Sequence, residues 1–219
     1  MQTKELSLHH IIRPSQKTDG KAPVMFMLHG YGSNEDDLFS FASELSDELC
    51  IISIRAPHNL MPSAFAWYAI HFDEDAGKWT DKAQAKASLN NITSFIDQAV
   101  EAYDLDQTNV SLLGFSQGAI LSYALALSHP KKIKNVIALS GYIEEDILDP
   151  KYTSNDFSHL SFYSSHGAVD QVIPVEWARK TPTFLEALDI EHVYEEFPVG
   201  HGVAPQNFFS FKKWLDARI

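Results

Sequence analysis

Short apolar segments, each ending at a glycine, a proline or another turn residue, recur along the chain and constrain its fold more than any other feature. Six of them are candidate strands: residues 24–28, 51–54, 110–113, 136–139, 160–165 and 192–197. A nearly continuous apolar strand is buried on both faces, which is typical of a parallel sheet covered by helices. The pattern therefore predicts a largely parallel sheet at the centre of the molecule.

Helical patterns separate these strands. The predicted helices cover residues 34–45, 81–103, 117–128, 174–188 and 205–217, and Pro182 is expected to kink or divide the fourth of them. Residues 6–13 and 66–70 add two further predicted strands. About eight strands and about five helices indicate an α/β fold with a doubly wound, mostly parallel sheet and helices on both faces. The 219 residues suit a single domain over 1–219, with chemistry at the carboxyl ends of the strands.

Charge and cysteine content disfavour several classes of protein. The chain has 29 acidic and 17 basic residues and a net charge of −12. Such a surface repels phosphate backbones and anionic headgroups, so we expect neither a nucleic-acid partner nor stable membrane association. Cys50 is the only cysteine, and no tight histidine spacing typical of a metal site occurs, so we expect no disulfide and no metal. The chain shows no signal-peptide pattern and no membrane-length apolar run, which predicts a cytoplasmic protein.

The segment Gly114-Phe115-Ser116-Gln117-Gly118 carries the strongest chemical signal. An apolar strand comes immediately before it and an apolar helix follows it, which is the context of the nucleophile elbow in α/β-hydrolases. In such a turn the serine has strained backbone torsions and its hydroxyl projects over the sheet, while the two glycines keep side chains out of the turn. We therefore predict Ser116 as a nucleophile. A glycine-rich turn without chemistry is the alternative.

A serine hydroxyl needs a neighbouring base to become a good nucleophile. In α/β-hydrolases the triad runs serine, acid, histidine along the chain. Of the ten histidines, only His192 and His201 follow Ser116 with room for an acid-bearing strand and helix between them. His192 lies within a strand pattern, whereas His201 lies on a glycine-flanked loop past a strand end and is the predicted base. Asp170, on the loop after strand 160–165, is the acid predicted to orient it.

Two backbone amides are expected to stabilise the negative oxygen that forms during acyl transfer. One belongs to the residue after the nucleophile, Gln117, and the other to a loop after an earlier strand. The loop over residues 28–33 has the right place and the glycine content for a close approach to substrate, and Tyr31 is the candidate for the second amide.

Four segments, in this order along nearly the whole chain, carry a family resemblance: Leu28-His29-Gly30-Tyr31-Gly32-Ser33, Gly114-Phe115-Ser116-Gln117-Gly118-Ala119, His166-Gly167-x-x-Asp170-x-Val172-Ile173-Pro174 and Gly200-His201-Gly202. They resemble the phospholipase/carboxylesterase family, which includes the acyl-protein thioesterases and small bacterial carboxylesterases. The resemblance implies an α/β-hydrolase fold, a triad of Ser116, Asp170 and His201, and oxyanion donors at Tyr31 and Gln117. It also implies hydrolysis of carboxylic esters or thioesters without a cofactor.

The substrate pocket is predicted from aromatic residues on the long stretch between residues 57 and 79. Five of them are the candidates: Phe65, Trp67, Tyr68, Phe72 and Trp79. Aromatic side chains near a catalytic loop could wall an acyl site, and packing beneath a long loop is an equally good reading. Residues 140–159 are too few for a large cap domain, so we expect a fairly open site.

These features together predict a serine hydrolase that cleaves small-molecule esters or thioesters of small to medium acyl groups through an acyl-enzyme, as a monomer or homodimer. Acyl transfer to an alcohol or amine by the same triad and a non-catalytic binding protein of this fold are the alternatives. A dienelactone-hydrolase-like enzyme agrees with the fold alone. That chemistry, however, resembles one with cysteine at the elbow, where this chain has Ser116.

Overall fold

A computed structural model describes residues 3–73 and 77–219. Its strands are β1 (His10–Arg13), β2 (Val24–Leu28), β3 (Cys50–Ile54), β4 (His58–Met61), β5 (Ala64–Ala66), β6 (Ile70–Asp73), β7 (Gly77–Thr80), β8 (Val110–Phe115), β9 (Asn135–Leu139), β10 (Ser161–Gly167) and β11 (Glu191–Phe197). Its α-helices are α1 (Asp36–Phe39), α2 (Lys82–Ala102), α3 (Gln117–Ser128), α4 (Val175–Ala178), α5 (Thr181–Glu186) and α6 (Pro205–Asp216).

Seven strands form one mixed sheet in the order β1-β3-β2-β8-β9-β10-β11. Only the edge strand β1 is antiparallel to its neighbour, and the other six strands run parallel. The predicted α/β fold with a mostly parallel sheet is confirmed, with seven strands rather than about eight. The carboxyl ends of the parallel strands therefore lie along one edge of the sheet, where loops from different parts of the chain meet.

The strand predicted over residues 66–70 is wrong. The chain forms two antiparallel hairpins there, β4 with β5 and β6 with β7, and neither joins the main sheet. Between the hairpins, the backbone N–H of Trp67 donates to the side-chain oxygen of Gln117 (3.1 Å) instead of to a neighbouring strand. A side-chain partner thus replaces the backbone hydrogen bonds to a neighbouring strand that this apolar segment was expected to form.

Helices cover both faces of the sheet. On one face, α2 and α3 pack against inward residues such as Phe26 and Ile52, and on the other α1 and α6 pack against Met25 and Met27. Every residue of α3 is buried, so this helix lies at the centre of the molecule. In the part of the chain that the structure describes, no helix is long and apolar enough to cross a membrane.

Most predicted helices lie where their patterns placed them. Asp81 caps α2, and its carboxylate accepts a hydrogen bond from the Gln84 N–H (2.9 Å). Pro182 lies at the start of α5, after a break that separates this helix from α4. The helix predicted over 34–45 is too long, because α1 ends at Phe39 and a 3-10 turn follows. Between β9 and β10, residues 140–159 form two further 3-10 turns and no cap domain, as their number predicted.

Candidate active site

Ser116 lies at the tight turn between β8 and α3. Its φ is 53° and its ψ is −114°, a conformation that non-glycine residues rarely adopt. Its backbone N–H donates to the Leu139 carbonyl (2.9 Å), and its own carbonyl accepts from the Ile120 N–H (3.1 Å). These bonds tie the turn to β9 and to the first turn of α3, and so maintain the strained backbone.

The two glycines of the elbow allow α3 to begin against the sheet. A Cβ atom on Gly118 would lie 1.9 Å from the Leu28 carbonyl oxygen, at the end of β2. A Cβ atom on Gly114 would lie 2.4 Å from the Gly118 carbonyl oxygen. Both distances are far below van der Waals contact and both neighbours are backbone, so no larger residue fits without moving the elbow.

His201 and Asp170 come to Ser116 from the two following loops at the same sheet edge. Asp170 lies after β10, and His201 lies between β11 and α6. Ser116 Oγ is 3.0 Å from His201 Nε2, and His201 Nδ1 is 2.6 Å from Asp170 Oδ2. Since a carboxylate only accepts, Nδ1 carries the imidazole proton and Nε2 accepts from the serine hydroxyl. The Phe115 ring packs against the imidazole, with ring centroids 4.9 Å apart.

Both oxygens of the Asp170 carboxylate accept hydrogen bonds. Its Oδ1 accepts from the backbone N–H groups of Val172 (2.8 Å) and Ile173 (3.0 Å). Burial raises the pKa of Asp170, but hydrogen bonds from His201 and the two amides outweigh burial, and the pKa is lowered. Asp170 is therefore ionised at neutral pH and orients His201.

His166 is a second histidine on the same carboxylate. Its side chain is completely buried, and Nε2 lies 2.9 Å from the Ile173 carbonyl oxygen and 3.3 Å from Asp170 Oδ2. Both neighbours are acceptors, so Nε2 carries the proton. Nδ1 has no hydrogen-bond partner among the described residues. His166 thus bridges the strand end and the loop that holds Asp170.

The loop after β2 approaches Ser116 from the other side. A Cβ atom on Gly30 would lie 3.4 Å from the Ser116 Cβ, so the backbone next to Tyr31 is close to the nucleophile. Gln117 is the first residue of α3, where a backbone N–H has no intrahelical partner and lies at the positive end of the helix dipole. Both predicted oxyanion residues line the cavity that contains Ser116.

His29 fixes the loop that carries Tyr31. Its Nδ1–H donates to the Gly30 carbonyl (2.8 Å), and its Nε2 accepts from the Ala56 N–H (3.0 Å). The His29 carbonyl accepts from the Trp67 indole N–H (2.8 Å). Burial lowers the pKa of His29, so the ring is neutral at pH 7 and both nitrogens keep these roles.

A cavity of about 820 Å³ opens beside Ser116. Most of its wall is apolar or aromatic. Its lining residues are Tyr31, Tyr68, Ile70, Thr80, Asp81, Lys82, Ser116, Gln117, Ile120, Tyr142, Glu144, Val172, Ile173, Trp177 and His201.

The predicted pocket aromatics divide between this wall and the interior. Tyr68 lines the cavity, whereas Trp67 is buried against His29 with ring centroids 5.5 Å apart. Phe65 packs beneath the Arg55 guanidinium (4.7 Å) and does not line the cavity. The side chains of Phe72 and Trp79 lie outside the described residues. Of the three candidates whose side chains are described, Phe65 and Trp67 therefore pack away from the cavity and Tyr68 lines it.

Sequence reasoning missed three groups at the site. The Gln117 side chain accepts from the Trp67 N–H and donates to the Tyr68 carbonyl (2.8 Å), so it joins the elbow to the cavity wall. Tyr142 and Trp177 form another part of that wall, although Tyr142 lies on the loop after β9 and Trp177 on α4. The sequence signal for the role of Gln117 is its polar side chain at the start of a mostly apolar helix. No local sequence pattern predicts the contact between Tyr142 and Trp177.

Comparison with known proteins agrees with the fold. The phospholipase/carboxylesterase family model matches residues 9–219. An acyl-protein thioesterase 1 of Kluyveromyces lactis is 27% identical over 187 residues, which cover 80% of this chain and 81% of that protein. A probable carboxylesterase of Oryza sativa subsp. japonica is 26% identical over 158 residues, which cover 71% of this chain. The match spans only 58% of the Oryza sativa protein's length.

A solved structure shows the same fold over the whole length. Esterase PE8 superposes with a TM-score of 0.85 at 24% identity, and the match covers 98% of this chain and 100% of that one. Its fold, an α/β-hydrolase sheet with helices on both faces, is the one described above. Since the family model covers nearly every residue, this chain belongs to the phospholipase/carboxylesterase family.

Proposed function

We propose that this protein is a serine hydrolase that cleaves carboxylic esters or thioesters through a covalent acyl-enzyme on Ser116. The observation that carries the proposal is the continuous hydrogen-bond chain from Ser116 Oγ to His201 Nε2 (3.0 Å) and from His201 Nδ1 to Asp170 (2.6 Å). Relatives named as carboxylesterases and as an acyl-protein thioesterase support both substrate classes.

Acylation begins when Ser116 Oγ attacks the substrate carbonyl carbon and its proton passes to His201 Nε2. Asp170, held ionised by its amide donors, stabilises the imidazolium without taking the proton. The carbonyl oxygen becomes an oxyanion and accepts hydrogen bonds from the backbone amides of Tyr31 and Gln117. His201 then gives the proton to the leaving oxygen or sulfur as its bond to carbon breaks.

Deacylation repeats the sequence with water. His201 takes a proton from a water molecule, the hydroxide attacks the acyl carbon, and the tetrahedral intermediate expels Ser116 as the proton returns to its oxygen. The cavity of about 820 Å³ can hold a small to medium acyl or alcohol group, which agrees with the usual size of ligand pockets. Water is the only co-reactant that these two steps use besides the substrate.

The direct test is the Ser116→Ala variant assayed with p-nitrophenyl butyrate. The variant removes only the hydroxyl, so the melting temperature should stay close to that of the wild type, while turnover should fall by about 10⁴-fold or more. A melting curve establishes that the variant is folded. Retention of wild-type turnover by a folded Ser116→Ala protein would exclude Ser116 as the nucleophile.

A further inference from the structure

Four tyrosine and tryptophan side chains line the same cavity as Ser116, and one of them, Tyr31, belongs to the loop after β2. Tyr68 follows the first hairpin, Tyr142 follows β9, and Trp177 lies on α4. The rings of Tyr142 and Trp177 meet edge to face, with centroids 5.1 Å apart and an interplanar angle of 72°. Tyr142 and Trp177 therefore present a pair of aromatic rings to whatever occupies the cavity, whereas Tyr68, which is only 2% exposed, reaches it with a small part of its surface.

Tyr68 is a buried residue of this wall. Only 2% of the residue is exposed, and its hydroxyl makes no hydrogen bond within the described part of the chain. Burial, together with the nearby Tyr142 and the negative Glu144, raises the pKa of Tyr68. Burial and Glu144 also raise the pKa of Tyr142 to about 12. Both phenols are therefore neutral, and both lie close to one carboxylate.

Glu144 is that carboxylate, and it lines the cavity with Tyr68, Tyr142 and Trp177. Its carboxylate makes no direct ion pair or hydrogen bond with any described residue, but it lies near enough to Lys82 for its charge to help raise the pKa of that ammonium. The ammonium of Lys82, which also lines the cavity, is paired with Asp146. Asp81, whose carboxylate caps α2, is the third charged residue of the wall, so the wall carries two carboxylates and one ammonium.

We propose that this cavity binds esters that carry a permanent cation of the quaternary ammonium type, and that the wall of Tyr68, Tyr142, Trp177 and Glu144 recognises that cation. Such a cation donates no hydrogen bonds and is weakly hydrated, so aromatic faces and a nearby negative charge are its natural binding surface. The net charge of −12 also attracts cations toward the protein. This inference rests on the proposed function, because it names the substrate class of the same site.

The test compares two esters that differ only in charge. Butyrylcholine and 3,3-dimethylbutyl butyrate have the same shape, with carbon in place of the charged nitrogen in the second, and acid release measures hydrolysis of both. The expected kcat/KM is about tenfold higher for butyrylcholine. In Glu144→Gln the ratio of the two kcat/KM values should fall by about threefold, and in Trp177→Leu it should fall as well.

Glu101→Gln is the matched control, because it removes the same charge from the far end of α2. It should keep both the activity and the ratio. A wild-type ratio of one or less, or a ratio that Glu144→Gln leaves unchanged, would overturn the inference. Faster hydrolysis of an anionic ester, such as butyryl glycolate, would also overturn it and would point to Lys82 instead.

Binding to the Ser116→Ala variant separates this inference from the proposed function. Calorimetry with the two esters needs no turnover, and it should show tighter binding of butyrylcholine by a similar factor. If the wild type hydrolyses neither ester but Ser116→Ala still prefers the cation, the proposed function fails and cation recognition stands. Equal binding of the two esters contradicts cation recognition whatever the turnover.

Discussion

The Asp170→Asn variant probes the triad by changing one oxygen to an amino group. In the wild type, Oδ1 accepts two backbone N–H groups, from Val172 and Ile173. In the variant the amide oxygen must take that place, because an amino group there would oppose two donors. The amino group then faces His201 Nδ1 and donates to it. The imidazole proton must move to Nε2, where it faces Ser116 and prevents proton uptake.

The cost of that change follows from the role of the base. Without a nitrogen that can accept the serine proton, kcat/KM should fall by about ten-thousand-fold, or roughly 5.5 kcal/mol of transition-state stabilisation. Hydrolysis of p-nitrophenyl butyrate at pH 7 measures this loss of kcat/KM. Asp156→Asn, an exposed aspartate on the loop before β10, should stay within about twofold of the wild type. If Asp170→Asn kept more than a tenth of the wild-type kcat/KM, Asp170 would not be setting the tautomer of His201.

Three further outcomes follow from contacts near the site. Gly118→Ala should abolish the native elbow and give insoluble or unfolded protein, because its Cβ atom would lie 1.9 Å from the Leu28 carbonyl oxygen. The control is Gly202→Ala, whose Cβ atom would have no neighbour within 4 Å, and this variant should melt within a few degrees of the wild type. Because the native pKa of Asp170 is lowered, its contribution to the free energy of unfolding should be complete above pH about 5 and disappear as pH falls below about 4. Urea titrations of the wild type and Asp170→Asn at several pH values measure this, and a difference that grows on acidification would contradict it. His166→Phe leaves a buried carbonyl unpaired and should lower the free energy of unfolding by about 1–3 kcal/mol; an unchanged urea midpoint would show that His166 does not hold this loop.

The sequence predicted the parts of this molecule that depend on local pattern. Buried strands and the helix over residues 117–128 follow directly from continuous apolar runs and their stop signals, and α3 has those bounds. The placement of Asp170 and His201 followed from chain order and strand ends. Parallel strands bring those ends to one edge, so residues distant in sequence became neighbours of Ser116.

The parts that the sequence did not predict depend on partners far along the chain. The apolar residues 66–70 have a strand-like composition, but their backbone bonds to Gln117 instead of to a sheet neighbour. Composition makes Trp67 a candidate for the pocket or for packing beneath the loop, and its indole N–H donates to the His29 carbonyl in the interior. Likewise, the contact between Tyr142 and Trp177 exists only once β9 and β10 are adjacent. Whether an aromatic side chain is buried or lines the cavity depends on tertiary contacts, and the local sequence pattern does not predict those contacts.

The central claim is that Ser116 is an activated nucleophile. Intact-mass analysis after treatment with a fluorophosphonate probe, followed by peptide mapping, tests it most directly. We expect a single adduct on the peptide that contains Ser116, formed quickly by the wild type, much more slowly by Asp170→Asn and not at all by Ser116→Ala. An adduct on another residue, or no adduct on folded wild-type protein, would contradict the account.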